Sequence, residues 1–283
     1  MSPSARIDLH AHSTASDGTA TPAELVRAAA DAGLDVVALT DHDTVAGLGA
    51  ARDALPDGLT LVPGIELSAY AVEQGRRVPL HLLAYWPRED DAPLVAAMAR
   101  LRAERELRGR RIVERVVAAG LPISWDQVEA LAAGGSVGRP HVAQALVDAG
   151  VLPDVSAAFT SDWLGSRGRF YVPKEELPVI DAVALVRAAG GVPVFAHPFA
   201  THRGATVSTV TIEAMAAAGL AGLEVDHPDH DAGQREHAAH VARRLGLLPT
   251  GSSDWHGTRK TTRLGDGTTS PEVFAALAAQ AVS

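Results

Sequence analysis

Short apolar runs alternate with helical stretches along most of the chain, and that alternation restricts the fold more than any single motif. "VVALT" (36–40) reads as a buried strand, and "LTLVPGIEL" (59–67), "PLHLLAYW" (79–86), "VPVFAHP" (192–198), "LAGLEVDH" (220–227) and "LLPTGSSDWHG" (247–257) each carry a strand-like run. Helical patterns separate them. In "TPAELVRAAADAGLD" (21–35), Thr21 is placed to cap the helix and Pro22 takes its first position. Glu24 completes a capping box and Gly33 ends the helix. A repeated βα rhythm of this kind implies an α/β fold with a parallel sheet or barrel. The rhythm lapses between about residues 90 and 172, where "SWDQVEALAA" and "GRPHVAQALVDAG" follow a long Arg/Glu-rich helical stretch. The expected organisation is a barrel from residues 1–89 and 173–283, interrupted by a helical insertion over 90–172.

The chemically capable side chains fall where these runs end. "IDLHAHSTASDG" (7–18) delivers His10, His12 and Asp17 after a short apolar start. Side chains alternate faces along a strand, so imidazoles at i and i+2 can converge on one point, as a chelating pair requires. Alone, such a pair also fits a solvated edge strand. Asp41-His42, Glu66, His197, Glu224-His227 and Asp254-His256 repeat the placement, and the C-terminal ends of barrel strands are where α/β barrels build chemistry. The chain has twelve histidines and no cysteine. Any metal site is therefore limited to imidazole and carboxylate ligands, and disulfides are excluded. A formal net charge of −9 argues against stable DNA binding. No apolar run reaches the roughly 18 residues of a membrane span, and "MSPSARIDL" lacks the apolar centre of a secretory signal. A cytoplasmic protein without a membrane partner is expected.

Five ordered motifs, "DLHAHSTASDG", "TDHD", "PGIE", "AHP" and "GSSDWHG", resemble those of the polymerase and histidinol phosphatase (PHP) family. The resemblance spans nearly the whole chain, "GRPHVA" included. It implies a distorted seven-stranded (β/α) barrel with two or three divalent ions (Mn, Fe or Zn) as cofactors. By resemblance, one ion takes His10, His12, Glu66 and Asp254. A second takes Asp17, His42 and His256. A third takes His81 and His197 and shares Glu66. Three carboxylates against three divalent ions leave the pocket positive within an acidic protein, which suits a phosphate.

The family implies a metal-dependent phosphoesterase whose partner is a small phosphorylated nucleotide. The favoured substrate is a nucleoside 3',5'-bisphosphate losing its 3'-phosphate. Alternatives are 5'-3' hydrolysis of short RNA and histidinol-phosphate hydrolysis. Readings of another class are a non-catalytic metal-binding domain and a metal-dependent amide or lactone hydrolase. Arg139 and His141 flank a predicted helix start, a ready anion site, and are expected to touch substrate. His202 is a candidate for phosphate contact or acid catalysis, and His227 for substrate contact. Asp41 is a candidate catalytic group, or a residue that orients a ligand histidine. His237 and His240 read as an exposed helix face, Lys174 as a solvated lysine, and Arg100 to Arg115 as a salt-laced helix surface.

Overall fold

A computed structural model describes residues 4–165 and 168–281. Eight strands form one sheet: β1 (Ile7–Asp8), β2 (Val36–Leu39), β3 (Thr60–Glu73), β4 (Arg76–Tyr85), β5 (Leu177–Pro178), β6 (Val192–Phe195), β7 (Gly222–Asp226) and β8 (Leu248–Gly251). Seven run in the order β1-β2-β3-β4-β6-β7-β8, and β5 pairs with the far end of β3. The sheet nearly closes on itself. Beyond β1 and β8, Ala11 and Trp255 form a parallel bridge, and the His12 N–H donates to the Trp255 carbonyl at 2.8 Å. The result is the expected α/β barrel.

One expectation fails. β4 runs antiparallel to both β3 and β6, so the barrel is mixed, not parallel. The cause lies in "EQGR". Gln74 and Gly75 both adopt positive φ, 50° and 76°, the twist that suits a two-residue hairpin turn. A two-residue link can join only antiparallel strands. The hairpin also carries both strands past the apolar runs that announced them. Glu66 and His81 consequently sit inside strands and not at strand ends, one diagonal step apart in the register Glu66↔Leu83 and Ser68↔His81.

Helices cover the outside of the sheet. α1 (Pro22–Asp31) begins with the Thr21–Glu24 capping box and, with α2 (Leu48–Asp53), packs on Val37 and Leu39. Ile7, Leu9, Val36, Ala38, Val62, Leu83, Tyr85, Val192 and Val194 form a separate buried cluster. The alternation expected for the first strand holds through Leu9 and then lapses, since Ala11 packs with the α1 group.

α3 (Ala92–Ala118) belongs to two cores. Leu94, Met98 and Leu101 in its first half join the cluster of Leu67, Leu82 and Val183. Ile112, Val113 and Val116 in its second half pack with α4 (Trp125–Ala132), α5 (Arg139–Asp148) and the chain through Val172. The fold continues with α6 (Val179–Ala188), α7 (Thr209–Ala217), α8 (Ala232–Leu245) and α9 (Pro271–Ala278). No helix among the described residues is long and apolar enough to cross a membrane.

Candidate metal centre

Glu66 is the hub. Its two carboxylate oxygens approach ring nitrogens of five histidines: His10 at 3.3 Å, His12 at 3.1 Å, His42 at 3.0 Å, His81 at 2.8 Å and His197 at 3.1 Å. Burial alone would raise its pKa, but the imidazoles of His81, His42 and His10 override that and hold it well below the usual carboxylate range. Asp254 Oδ1 lies 3.5 Å from His10 Nε2 and 3.4 Å from His12 Nε2. Asp17 forms a second focus, 3.7 Å from His42 Nε2 and 3.4 Å from His256 Nε2. All of these side chains except His81, which is 28% exposed, are nearly or fully buried.

Ring tautomers show which nitrogens are free to bind a cation. His10 Nδ1 faces Glu224 Oε1 at 3.2 Å, and Nδ1 of His256 donates to the Asp254 carbonyl at 2.8 Å. Each ring then presents the Nε2 lone pair to the cluster, the way carboxylate- and carbonyl-supported histidines present themselves to metals. His10 Nε2 and His12 Nε2 face each other at 3.0 Å. Nδ1 of His42 and of His81 is buried without a hydrogen-bond partner. Buried polar atoms normally find partners. Two that do not, both within 3.0 Å of the Glu66 carboxylate, are what a cation-binding cavity presents, so the residues present fit divalent ions.

The backbone supports this focus at some cost. His197 and Asp254 adopt positive φ, 32° and 50°. Non-glycine residues hold that conformation only where their surroundings impose it, most often at functional sites. The His197 N–H is tied to Glu224 Oε2 at 2.7 Å.

The structure brings the nine side chains selected as candidate ligands together. The other candidates disperse. Asp41 accepts from Ser13 N at 2.8 Å and from the hydroxyls of Ser13 and Ser16 at 2.6 Å, and Ser16 lies 3.5 Å from His12 Nδ1. Asp41 thus orders the loop beside His12. His141 is buried and spends its Nδ1 on the Gly138 N–H at 3.0 Å, capping its own helix; burial lowers its pKa to about 4. His202 stands at the rim, its side chain 59% exposed and 3.5 Å from Asp229. His227 is buried, 3.5 Å from Asp254 Oδ2. His237 and His240 are exposed as expected.

Two expectations for cations are overturned. Lys174 is not solvated: its side chain is 6% exposed, with Nζ 2.5 Å from Ser68 Oγ. The α3 arginines are not all surface either. Arg105 turns inward, bonding the Asp43 carboxylate and Ser68 Oγ, and Arg108 donates to the Val172 carbonyl. An i, i+3 pair from a helix that straddles two cores faces the cleft between them.

Sequence reasoning also passed over Asp8 and underused Glu224. The Asp8 carboxylate accepts from the backbone N–H groups of Ser253 at 3.0 Å and Gly265 at 2.9 Å, pinning the loop that carries Asp254. Glu224 stood at a strand end in the sequence; its neighbours in space, His10 and His197, come from other strands and could not be read there.

The PHP domain pattern matches residues 8–97. A 5'-3' exoribonuclease of Haemophilus influenzae is 33% identical over 252 residues, covering 89% of this chain and 90% of its own. A 3',5'-nucleoside bisphosphate phosphatase of Chromobacterium violaceum is 33% identical over 254 residues, covering 89% and 87%. The crystal structure of a protein described as a metal-dependent phosphoesterase, from Bifidobacterium adolescentis, superimposes with a TM-score of 0.92 at 38% identity, covering 100% of this chain and 99% of that one. The chain belongs to the PHP family and is a metal-dependent phosphoesterase.

Proposed function

We propose that the protein releases the 3'-phosphate of nucleoside 3',5'-bisphosphates. Three ligand sets would hold divalent ions: His10, His12, Glu66 and Asp254; Asp17, His42 and His256; and His81 and His197 with Glu66 shared. Imidazole and carboxylate donors without thiolate favour Mn, Fe or Zn. Such ions polarise phosphoryl oxygens and acidify water, whose pKa falls from about 15.7 toward about 7. The chain's own residues bind and orient the substrate. Glu66 and Asp254 keep the imidazoles convergent, and Glu224 fixes His10.

The observation that carries the substrate class is a cationic cluster in the cleft between barrel and insertion. Arg105, Arg108, Arg139 and Lys174 influence one another there, with Asp43 and Glu176 as the carboxylates among them. Burial and then Arg139 pull Arg108 down to about 9; burial and then Arg105 pull Lys174 down to about 7. With Asp17 and Glu66 assigned to the ions, three arginines and a partly charged Lys174 face Asp43 and Glu176, a surplus of positive charge out of water that a second phosphate would relieve. Residues 90–172, an inserted helical subdomain in this reading, supply Arg105, Arg108 and Arg139, so the insertion selects the substrate. A short RNA bearing a 5'-phosphate would satisfy the same cluster, and the Haemophilus relative's name favours that as the second reading.

The test is phosphate release from a nucleoside 3',5'-bisphosphate, the matched 3'-monophosphate and histidinol phosphate, alongside mononucleotide release from a 5'-phosphorylated oligoribonucleotide. The bisphosphate should give the highest kcat/KM. Preference for the oligonucleotide would transfer the assignment to the second reading, and preference for the monophosphate would remove the role given to the cationic cluster.

A further inference from the structure

Asp254 has two unlike faces. Its Oδ1 turns to His10 and His12. Its Oδ2 accepts from Arg203 Nη2 at 2.6 Å and Lys260 Nζ at 2.7 Å, and His227 Nε2 stands 3.5 Å away. His227, Arg203 and Lys260 carry the groups facing this oxygen. These donors come from three separate loops, after β6, β8 and β7. None belongs to the Arg105–Lys174 cluster, which packs on Asp43 and Ser68.

The hydrogen on His227 can be placed. The Asp229 N–H donates to His227 Nδ1 at 3.0 Å. The ring proton is therefore on Nε2, which acts as a donor and cannot ligate a cation. His227 and Glu224 stand near His10 in an arrangement that resembles a metal site, and this tautomer removes His227 from it. His227 Nε2 is buried and has no hydrogen-bond partner; Asp254 Oδ2 and Glu224 Oε2, at 3.5 and 3.7 Å, are its nearest acidic neighbours. A buried donor without an acceptor is costly and calls for one. Arg203 and Lys260 stay 29% and 33% exposed, so they line the mouth of the site.

We propose that Arg203, Lys260 and the Nε2–H of His227 bind a phosphoryl oxygen of the scissile group, in a subsite beside Asp254. This rests on the phosphoesterase reading of the cluster. Arg203 and Lys260 already bond one carboxylate oxygen, Asp254 Oδ2, and the unpartnered Nε2–H of His227 lies beside it. All three are donor-only toward that point, so the subsite selects a full oxyanion over a hydroxyl or amide that must also donate. Charge points the same way. Arg203 bonds Asp229 as well, so two cations face two carboxylates. Committing Asp254 to a divalent cation through Oδ1 tips that balance positive, and an oxyanion restores it. The three residues then serve the phosphate that leaves, while the Arg139 cluster serves the one that stays.

The test measures inorganic phosphate binding to the manganese-loaded full chain, by calorimetry and by product inhibition, with metal content followed by elemental analysis. Lys260→Gln should weaken phosphate about tenfold or more, the worth of a charge-assisted contact, with metal content unchanged. Lys260→Arg should restore most of the affinity. Arg203→Lys keeps the charge, loses the planar fork and gives a second measurement should Lys260→Gln not fold. Phosphate affinity unchanged in both Lys260→Gln and Arg203→Lys would overturn the subsite. So would metal loss in step with phosphate loss, which would make these cations positioning residues for Asp254. Phosphate binding that depends on Lys260 in a protein hydrolysing no phosphate ester would leave the subsite standing and sink the functional reading.

Discussion

Replacing Glu66 with Gln tests the whole arrangement through one atom. The side chain keeps its shape and loses its charge, while five ring nitrogens stay within 2.8–3.3 Å of where the carboxylate stood. Two of the three proposed ligand sets use Glu66; the Asp17–His42–His256 set does not. Metal content should therefore fall from three ions per chain to one. Stabilisation follows by mass action: an ion at about 100 times its Kd adds about 2.7 kcal/mol per site. At about 2 °C per kcal/mol for a chain of this size, manganese should raise the Tm of the wild type by roughly 16 °C and that of Glu66→Gln by roughly 5 °C. Elemental analysis and differential scanning calorimetry with and without chelator read both quantities. An unchanged ion count together with an unchanged thermal shift would refute the role of Glu66 as a shared ligand.

Arg139→Ala should lower kcat/KM on a bisphosphate about ten- to a hundredfold, from the loss of about 1.5–3 kcal/mol, and spare the matched monophosphate. Steady-state kinetics on the pair checks this, and equal losses would contradict it. Lys174, drawn down to about 7 by burial and then by Arg105, ties stability to pH. Between pH 7 and about 10.4 the unfolded chain holds a proton that the folded chain has released. Unfolding free energy should therefore rise with pH across that window, by at most about 1.4 kcal/mol per unit. Urea denaturation at pH 7 and pH 9 should show that rise in the wild type and a smaller one in Lys174→Met. Thr21→Ala removes one half of the α1 capping box. It should cost about 1 kcal/mol in urea denaturation and leave metal content unchanged.

What the sequence made legible follows from how far each signal reaches. The βα rhythm and the Thr21 cap are local, and the structure repeats them. The proposed ligand histidines other than His81 were visible because short apolar runs mark where a barrel strand stops. Three things were out of reach for a physical reason. The β3–β4 hairpin turns on Gln-Gly, a weaker signal than Asn-Gly, inside a stretch whose strands extend beyond their apolar centres. The inward arginines look from sequence like their surface neighbours, because α3 presents charge around most of its circumference and only the presence of a second core tells Arg105 from Arg110. Lys174 follows an apolar "FYV" and precedes two glutamates, which locally reads as solvated; its burial is set by Ser68, over 100 residues away in the chain. In each case the missing term is long-range. Ligands that must meet at a metal are drawn from the few residue types able to bind one and so announce themselves. A residue that supplies only charge is drawn from the commonest surface types, and only its burial gives it away. The proposed substrate-reading side of this site was therefore bound to be harder to read than its proposed metal-binding side, even though both are built from the same chain.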